Sequence, residues 1–305
     1  ELKICSFNIQ FLGHFKNRDN ETLGEILSGY DIVVIQEMVA PPIDGEFPNG
    51  EEYKADKESE EFHLKMLESG FSFWLSEEDT GPSKNHVNSP SSEWFVTYYR
   101  SEVVMPEYAN RAHGFLDTIL IENQSYERVP YAFSFKSTID STNFTLISVH
   151  LKPGGSRADQ TRRVEELTAI NEWVSNQSEM NKDFITIGDF NIKNKAELSD
   201  LLVELSISYN TQLFSLNNDC LSTNTKYYEL ESKGKPYDHV FYSSATREDL
   251  VDSSFVVLDL MELVRPFYTS EEVFPFIPYE HTLFRTSFSD HMPVSFRLVL
   301  GKDTD

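Results

Sequence analysis

Short apolar runs recur along the whole chain, and stretches with helical spacing fall between them. The runs Leu2 to Ile9, Ile32 to Gln36, Trp94 to Tyr99, Thr118 to Ile121, Tyr131 to Phe135, Phe144 to Val149, Phe184 to Ile187, His239 to Tyr242, Phe255 to Leu258 and Met292 to Leu300 predict strands. Helices are predicted over Asn20 to Ser28, Glu60 to Ser69, Arg157 to Ser175 and Ala196 to Leu205. Their apolar positions recur every three or four residues, as in Val164, Leu167, Ile170 and Val174. A further helix-like stretch spans Asp259 to Val264. Ala40 to Lys54 and Asp79 to Ser92 are rich in Pro, Gly, Asn, Ser and acid, and read as surface loops. Many strands with interspersed helices predict an α/β fold of two sheets packed face to face, with helices outside.

No repeat or low-complexity linker divides the 305 residues, so one domain over 1–305 is expected. Phe (23) and Tyr (14) are abundant, which suits a sheet-rich interior. A formal charge of -24 argues against a protein that coats nucleic acid non-specifically. It leaves room for an enzyme that meets phosphate through a metal ion and a few local cations. No run is apolar enough to span a membrane, and none reads as a signal peptide. The compartment stays open, with a secreted or periplasmic location ranked ahead of a cytoplasmic one. Of the two cysteines, Cys5 falls in the first strand and Cys220 in a loop-like stretch, so one disulfide is left open.

The chemistry gathers at strand ends. Asn8 interrupts the first apolar run, and Gln36-Glu37 ends the second. His150 ends the strand of Phe144 to Val149. Gly188-Asp189-Phe190-Asn191 follows Phe184 to Ile187. Tyr237-Asp238-His239 enters another strand, and Ser289-Asp290-His291 enters the last one. Each alone reads better as a cap, a turn or a solvated side chain. Structural polar residues should scatter over both rims of a sheet, whereas these six sites all fit one rim. Carboxylate, amide and imidazole groups together suit a hard divalent cation and a phosphate ester.

In this order the residues resemble the endonuclease/exonuclease/phosphatase superfamily. Two further matches point to its deoxyribonuclease I-like branch: Glu93 ahead of Trp94 to Arg100, and Arg128-Val129-Pro130-Tyr131. The resemblance runs over almost the whole chain. It implies a four-layer sandwich of two mostly antiparallel sheets flanked by helices. It also implies a Mg²⁺-dependent hydrolase, with Mn²⁺ as a substitute and a structural Ca²⁺ as an addition. Glu37 would be the direct metal ligand, with Asn8, Asp290 and Asp189 beside it. Asp189 and Asn191 would position water, phosphate or a second metal. Glu93 would orient His150, and Asp238 would orient His291, giving two acid/base pairs whose roles are not assigned. Arg128 would clamp a phosphate oxygen, with Asn8 and Asn191 also on the substrate.

Gln10 stands where that branch carries a groove-binding Arg, and Ser91 where it has a Tyr. Local candidates for gripping DNA are His14, Lys16, Arg18, Lys152, Arg157, Arg162 and Arg163, each set against a plain surface role. The aromatic run Phe267, Tyr268, Phe274, Phe276, Tyr279 and Phe284 reads as core and lid packing, with base stacking or lipid contact as alternatives. The expected function is a metal-dependent endonuclease, monomeric, acting on double-stranded DNA with little sequence preference. Competing readings are a phosphomonoesterase or lipid phosphodiesterase of the same superfamily and, last, a non-catalytic binding protein.

Overall fold

The computed structural model describes residues 1–82, 84–109, 111–177, 183–209, 213–228, 234–244, 246–251, 253–268, 279–299 and 301. In chain order its elements are β1 (Leu2–Leu12), α1 (Asn20–Leu27), β2 (Ile32–Met38), β3 (Gly45–Glu46), β4 (Glu52–Tyr53), α2 (Lys57–Glu68), β5 (Ser72–Leu75), β6 (Trp94–Tyr99), β7 (Val104–Pro106), β8 (Gly114–Phe115) and β9 (Tyr131–Ser137). There follow β10 (Asn143–His150), α3 (Arg157–Ser175), β11 (Phe184–Asp189), α4 (Lys195–Tyr209), β12 (Leu213–Ser215), β13 (Asp238–Ser243), β14 (Val256–Val257), α5 (Leu260–Val264), α6 (His281–Ser287) and β15 (Val294–Leu298).

One sheet has the order β14-β15-β1-β2-β6-β5, the other β12-β13-β11-β10-β9-β7, with β8 also on β9. Each is antiparallel except for one central parallel pair, β1 with β2 and β10 with β11. A parallel pair needs a crossover, and α1 and α3 supply the two. Both strands of each pair therefore end at the same edge. The sheets pack so that β2 meets β10 and β11, and β1 meets β11. This brings the two central pairs together.

Alternation sorts the side chains into three clusters. Leu2, Ile4, Ile32, Val34, Phe95, Phe144, Leu146, Ile185, Ile187 and Val240 fill the space between the sheets. Phe7, Ile9, Val33 and Ile35 point the other way, onto α1, α2, α5 and α6. Ile147 and Val149 point onto α3 and α4. The result is the expected four-layer sandwich of two mostly antiparallel sheets flanked by helices.

Several sequence expectations change. Thr118 to Ile121 forms no strand. Asp117 accepts the Ile119 N–H, and the Asn123 amide donates to Asp117 and to the Ile119 carbonyl. These local side-chain bonds compete successfully with a sheet ladder, and Ile119 and Ile121 are left exposed. The loop of Ala40 to Lys54 contains the β3–β4 hairpin and buries Phe47. The strands β5 and β12 and the helix α6 carried no periodic signal long enough to find. Tyr268, Tyr279 and Phe284 pack on the helix-side core, whereas Phe267 is exposed. Phe274, Phe276 and Leu300 lie outside the described residues. Cys5 and Cys220 are free, and they pack on opposite outer faces of the sandwich, so they form no disulfide. Among the described residues no helix is long and apolar enough to cross a membrane.

Candidate active site

The alternation that builds the inter-sheet core also builds the site. Ser6 and Asn8 continue the face of Leu2 and Ile4, and Gln36 continues that of Ile32 and Val34. Ser148 and His150 continue that of Phe144 and Leu146. Asp189 continues Ile185 and Ile187, and Asp238 precedes Val240. Toward one rim, the interior of the sandwich therefore changes from hydrocarbon to polar groups. Just below the site Ser6 donates to Gln36, and the Gln36 amide donates to Ser148 across the sheets.

Two imidazole–carboxylate pairs converge on one oxygen. His150 Nδ1 stands 3.2 Å from Glu93 Oε1, and His291 Nδ1 stands 2.8 Å from Asp238 Oδ2. Their Nε2 atoms point at Asp189 Oδ2, at 3.6 Å and 3.7 Å. The Asn8 amide donates to the same Asp189 oxygen and to Glu37 Oε1. Its own oxygen accepts the Gln10 N–H. Glu37 Oε2 accepts the Phe11 N–H, and the Glu37 N–H donates to Glu93. Asn191 donates its N–H to Asp189 and its amide to the Leu151 carbonyl.

The backbone is bent to make this possible. Gln10, Phe11, Glu37 and Asn191 all have left-handed φ between 51° and 62°. In a regular strand Glu37 would face the helices like Ile35. Its positive φ, beside the register shift between β1 and β2, turns the carboxylate toward Asn8. Such conformations cost ~1–3 kcal/mol each and concentrate at functional sites. Ser289 fixes the other side, donating to the Asn8 carbonyl and accepting the His291 N–H.

Burial and charge set the protonation states. Burial, and then Asp290, hold the Glu37 carboxyl above its ordinary range, against His150 and Asn8. Asp189 is raised by burial and by Asp238, against the two histidines. For Glu93 burial pushes upward, but His150, Arg128 and the Glu37 N–H outweigh it and lower the group. Burial pulls His150 down, as does Arg128, yet Glu93 and Asp189 raise it overall. His291 lies well above its usual value, because Asp238 and Asp189 overcome burial. Buried carboxyls raised in this way, beside raised imidazoles, are the kind of perturbed cluster that concentrates at functional sites. Glu37, His150 and Asp189, and likewise Asp189, Asp238 and His291, offer ligand atoms within 4.8 Å of one another. Raised histidines make poor ligands, which leaves the carboxylates as the natural holders of a cation.

Arg128 is buried with Nε 3.2 Å from Glu93 Oε1, and among the described residues its Nη1 has no hydrogen-bond partner. Two candidates for gripping DNA turn out to be internal. Arg18 is buried on Glu58, and its guanidinium donates to the carbonyls of Ile9, Gln10 and Phe288. It ties the turn after Asn8 to the segment entering Ser289. Arg163 is buried on Glu197. Both are structural rather than surface cations. Lys152 pairs with Glu127, Arg162 binds the carbonyls at 123–124, Lys16 lies 3.7 Å from Asp56, and His14 is exposed.

Sequence reasoning missed the segment 223–225. Met292 donates to the Thr223 carbonyl, Thr223 Oγ1 accepts the Asp238 N–H, and the Thr225 N–H donates to the Asp290 carbonyl. It carries no apolar periodicity, so nothing in its sequence marked it. The Tyr237 ring tilts against His291, with ring centroids 5.4 Å apart.

No protein-family model and no curated protein matches the chain. Solved structures do. A mannosyl-6-phosphatase from Bacteroides thetaiotaomicron superposes with a TM-score of 0.58 at 14% identity, covering 98% of this chain and 100% of that one. An endonuclease/exonuclease/phosphatase family protein from the same species gives 0.58 at 14%, covering 98% of each. TDP2 from D. rerio, solved with a single-strand DNA product, gives 0.54 at 13%, covering 97% and 98%. Over nearly its whole length, then, this chain has the fold of the endonuclease/exonuclease/phosphatase proteins.

Proposed function

We propose that the protein is a divalent-metal-dependent phosphoesterase, and more specifically an endonuclease that cleaves DNA with little sequence preference. The observation that carries this reading is the convergence of two imidazole–carboxylate pairs on Asp189, with Glu37 alongside. Phosphoester hydrolysis needs charge neutralisation, a positioned water and a protonated leaving oxygen. Glu37, with Asp189 and Asp290 beside it, is the set that would hold Mg²⁺, and Asn8 orients Glu37. When bound, the ion supplies charge stabilisation at the phosphate. His150 and His291 both aim Nε2 at Asp189, and Glu93 and Asp238 hold them above the ordinary imidazole value. Either can then deliver or receive a proton at a phosphate oxygen. Asp189 and Asn191 place the water, and the free Nη1 of Arg128 is a donor for a non-bridging oxygen.

A phosphomonoesterase is the second reading, since a mannosyl-6-phosphatase shares the fold. The test is incubation with supercoiled plasmid, linear DNA, RNA and sugar phosphates, in Mg²⁺ or EDTA. Nicked plasmid before linear product, lost in EDTA and in Glu37→Gln, is expected. Phosphate released from sugar phosphates with every nucleic acid intact would select the second reading.

A further inference from the structure

We infer that Arg285 is the group that binds a second phosphate of the substrate, next to the one being cleaved. The inference rests on the phosphodiesterase reading and specifies its substrate: a chain of phosphates rather than a lone ester. In this protein the internal arginines around the site are neutralised. Arg18 pairs with Glu58, Arg128 with Glu93 and Arg163 with Glu197. Arg285 is different. Partly exposed in the last turn of α6, it donates from Nε to Gln10 Oε1 at 3.2 Å, and among the described residues it has no carboxylate within ion-pair distance.

Gln10 is a specific holder. It is 1% exposed and held at φ 57°. Its N–H donates to Asn8, and the next residue, Phe11, donates its N–H to Glu37. The guanidinium is thus fixed on the same turn that shapes the metal-binding carboxylate, a few residues ahead of Ser289, Asp290 and His291. A neutral amide orients an arginine without cancelling its charge. With 50 acidic residues in the chain, a carboxylate partner would be easy to supply, and it would offset the charge. Among the described residues the other N–H groups of Arg285 have no partner, which suits them to the paired bonds a phosphate accepts.

The test compares wild type, Arg285→Gln, Arg285→Lys and Gln10→Glu. One substrate is a single-stranded 12-mer. The other is p-nitrophenyl thymidine 5′-phosphate, a diester with a single phosphate. Arg285→Gln should raise KM for the 12-mer about tenfold, the size of one charge-assisted hydrogen bond, with kcat changing much less. KM for the single-phosphate diester should rise less. The slope of log KM against log salt should fall by about 0.7, and Arg285→Lys should keep most of it. Gln10→Glu should lower the slope in the same way while the melting temperature holds or rises, because it neutralises Arg285 in place. That variant carries the test if Arg285→Gln does not fold. Unchanged KM and slope in both variants, with wild type active, would overturn the inference and leave the phosphodiesterase reading standing. A melting temperature that falls in Arg285→Gln and rises in Gln10→Glu, with no change in slope, would also overturn it, by making Arg285 structural. A wild type that cleaves neither the 12-mer nor supercoiled plasmid would sink both.

Discussion

Gly188→Ala should damage stability and chemistry through one contact. Gly188 sits opposite Val149 in the parallel ladder of β10 and β11, and the next residues on each strand are His150 and Asp189. A Cβ at Gly188 would lie 2.2 Å from the Val149 carbonyl oxygen, a backbone atom, where real contacts stay above 3.0 Å. The strands must therefore part by at least about 0.8 Å, the difference between those two distances. The residue also has φ 135°, where side chains are rarely tolerated and the strain costs ~1–3 kcal/mol. Forced repacking adds ~1–3 kcal/mol. At roughly 2 °C per kcal/mol for a chain of this size, the melting temperature should drop by about 4–12 °C. The same shift separates His150 Nε2 from Asp189 Oδ2, now 3.6 Å apart. A misplacement of about 1 Å costs on the order of 10²-fold in rate. Circular-dichroism melting and Mg²⁺-dependent diester hydrolysis read the two effects. Gly29→Ala is the control, because nothing lies within 4 Å of its added Cβ. If Gly188→Ala melts within a degree of wild type and turns over normally, the close approach of the two strands is not what sets the His150–Asp189 geometry.

Asp238→Asn should pull His291 back toward its ordinary value, since Asp238 is the main upward influence on it. The alkaline limb of the pH–rate profile should move toward lower pH, and an unmoved limb would detach His291 from the chemistry. His239 is buried and held neutral at about 3 by its surroundings, with Nε2 donating to the Pro236 carbonyl and Nδ1 accepting from Ser215. Its folded value lies below its unfolded one. The unfolded chain therefore takes up a proton as pH falls below about 6.5 while the folded chain does not. Stability should decline from there toward pH 3, by several kcal/mol at the order-of-magnitude level. His239→Gln should shrink the difference between melting temperatures at pH 7 and pH 4.5, and an identical difference would refute the assignment.

Much of this protein is legible in the order of its residues. Two-residue alternation is a local property, so a strand that reads Leu2, Ile4, Ser6, Asn8 already says that Asn8 continues an apolar face. The same holds for Phe144 to His150 and for Ile185 to Asp189. Sheet-against-sheet layering, the helix α3 and the polar rim follow from such periods. Alternation says nothing about which rim residues meet. That Asn8 on β1 bonds Asp189 on β11, and that His291 finds Asp238 rather than Asp290, depends on how two sheets stack over nearly the full length of the chain. The turn of Glu37 toward the site is a backbone choice that period-two reasoning would have placed on the wrong face. Charge is equally silent about burial. Arg18 and Arg163 look like surface cations until tertiary packing closes carboxylates and carbonyls around them. Arg285 looks like one more helix-end arginine until α6 sets it against Gln10. Sequence fixes what each position can contribute chemically and which side of a strand it occupies; long-range packing decides distance, partner and protonation, because those depend on groups brought together from far apart in the chain.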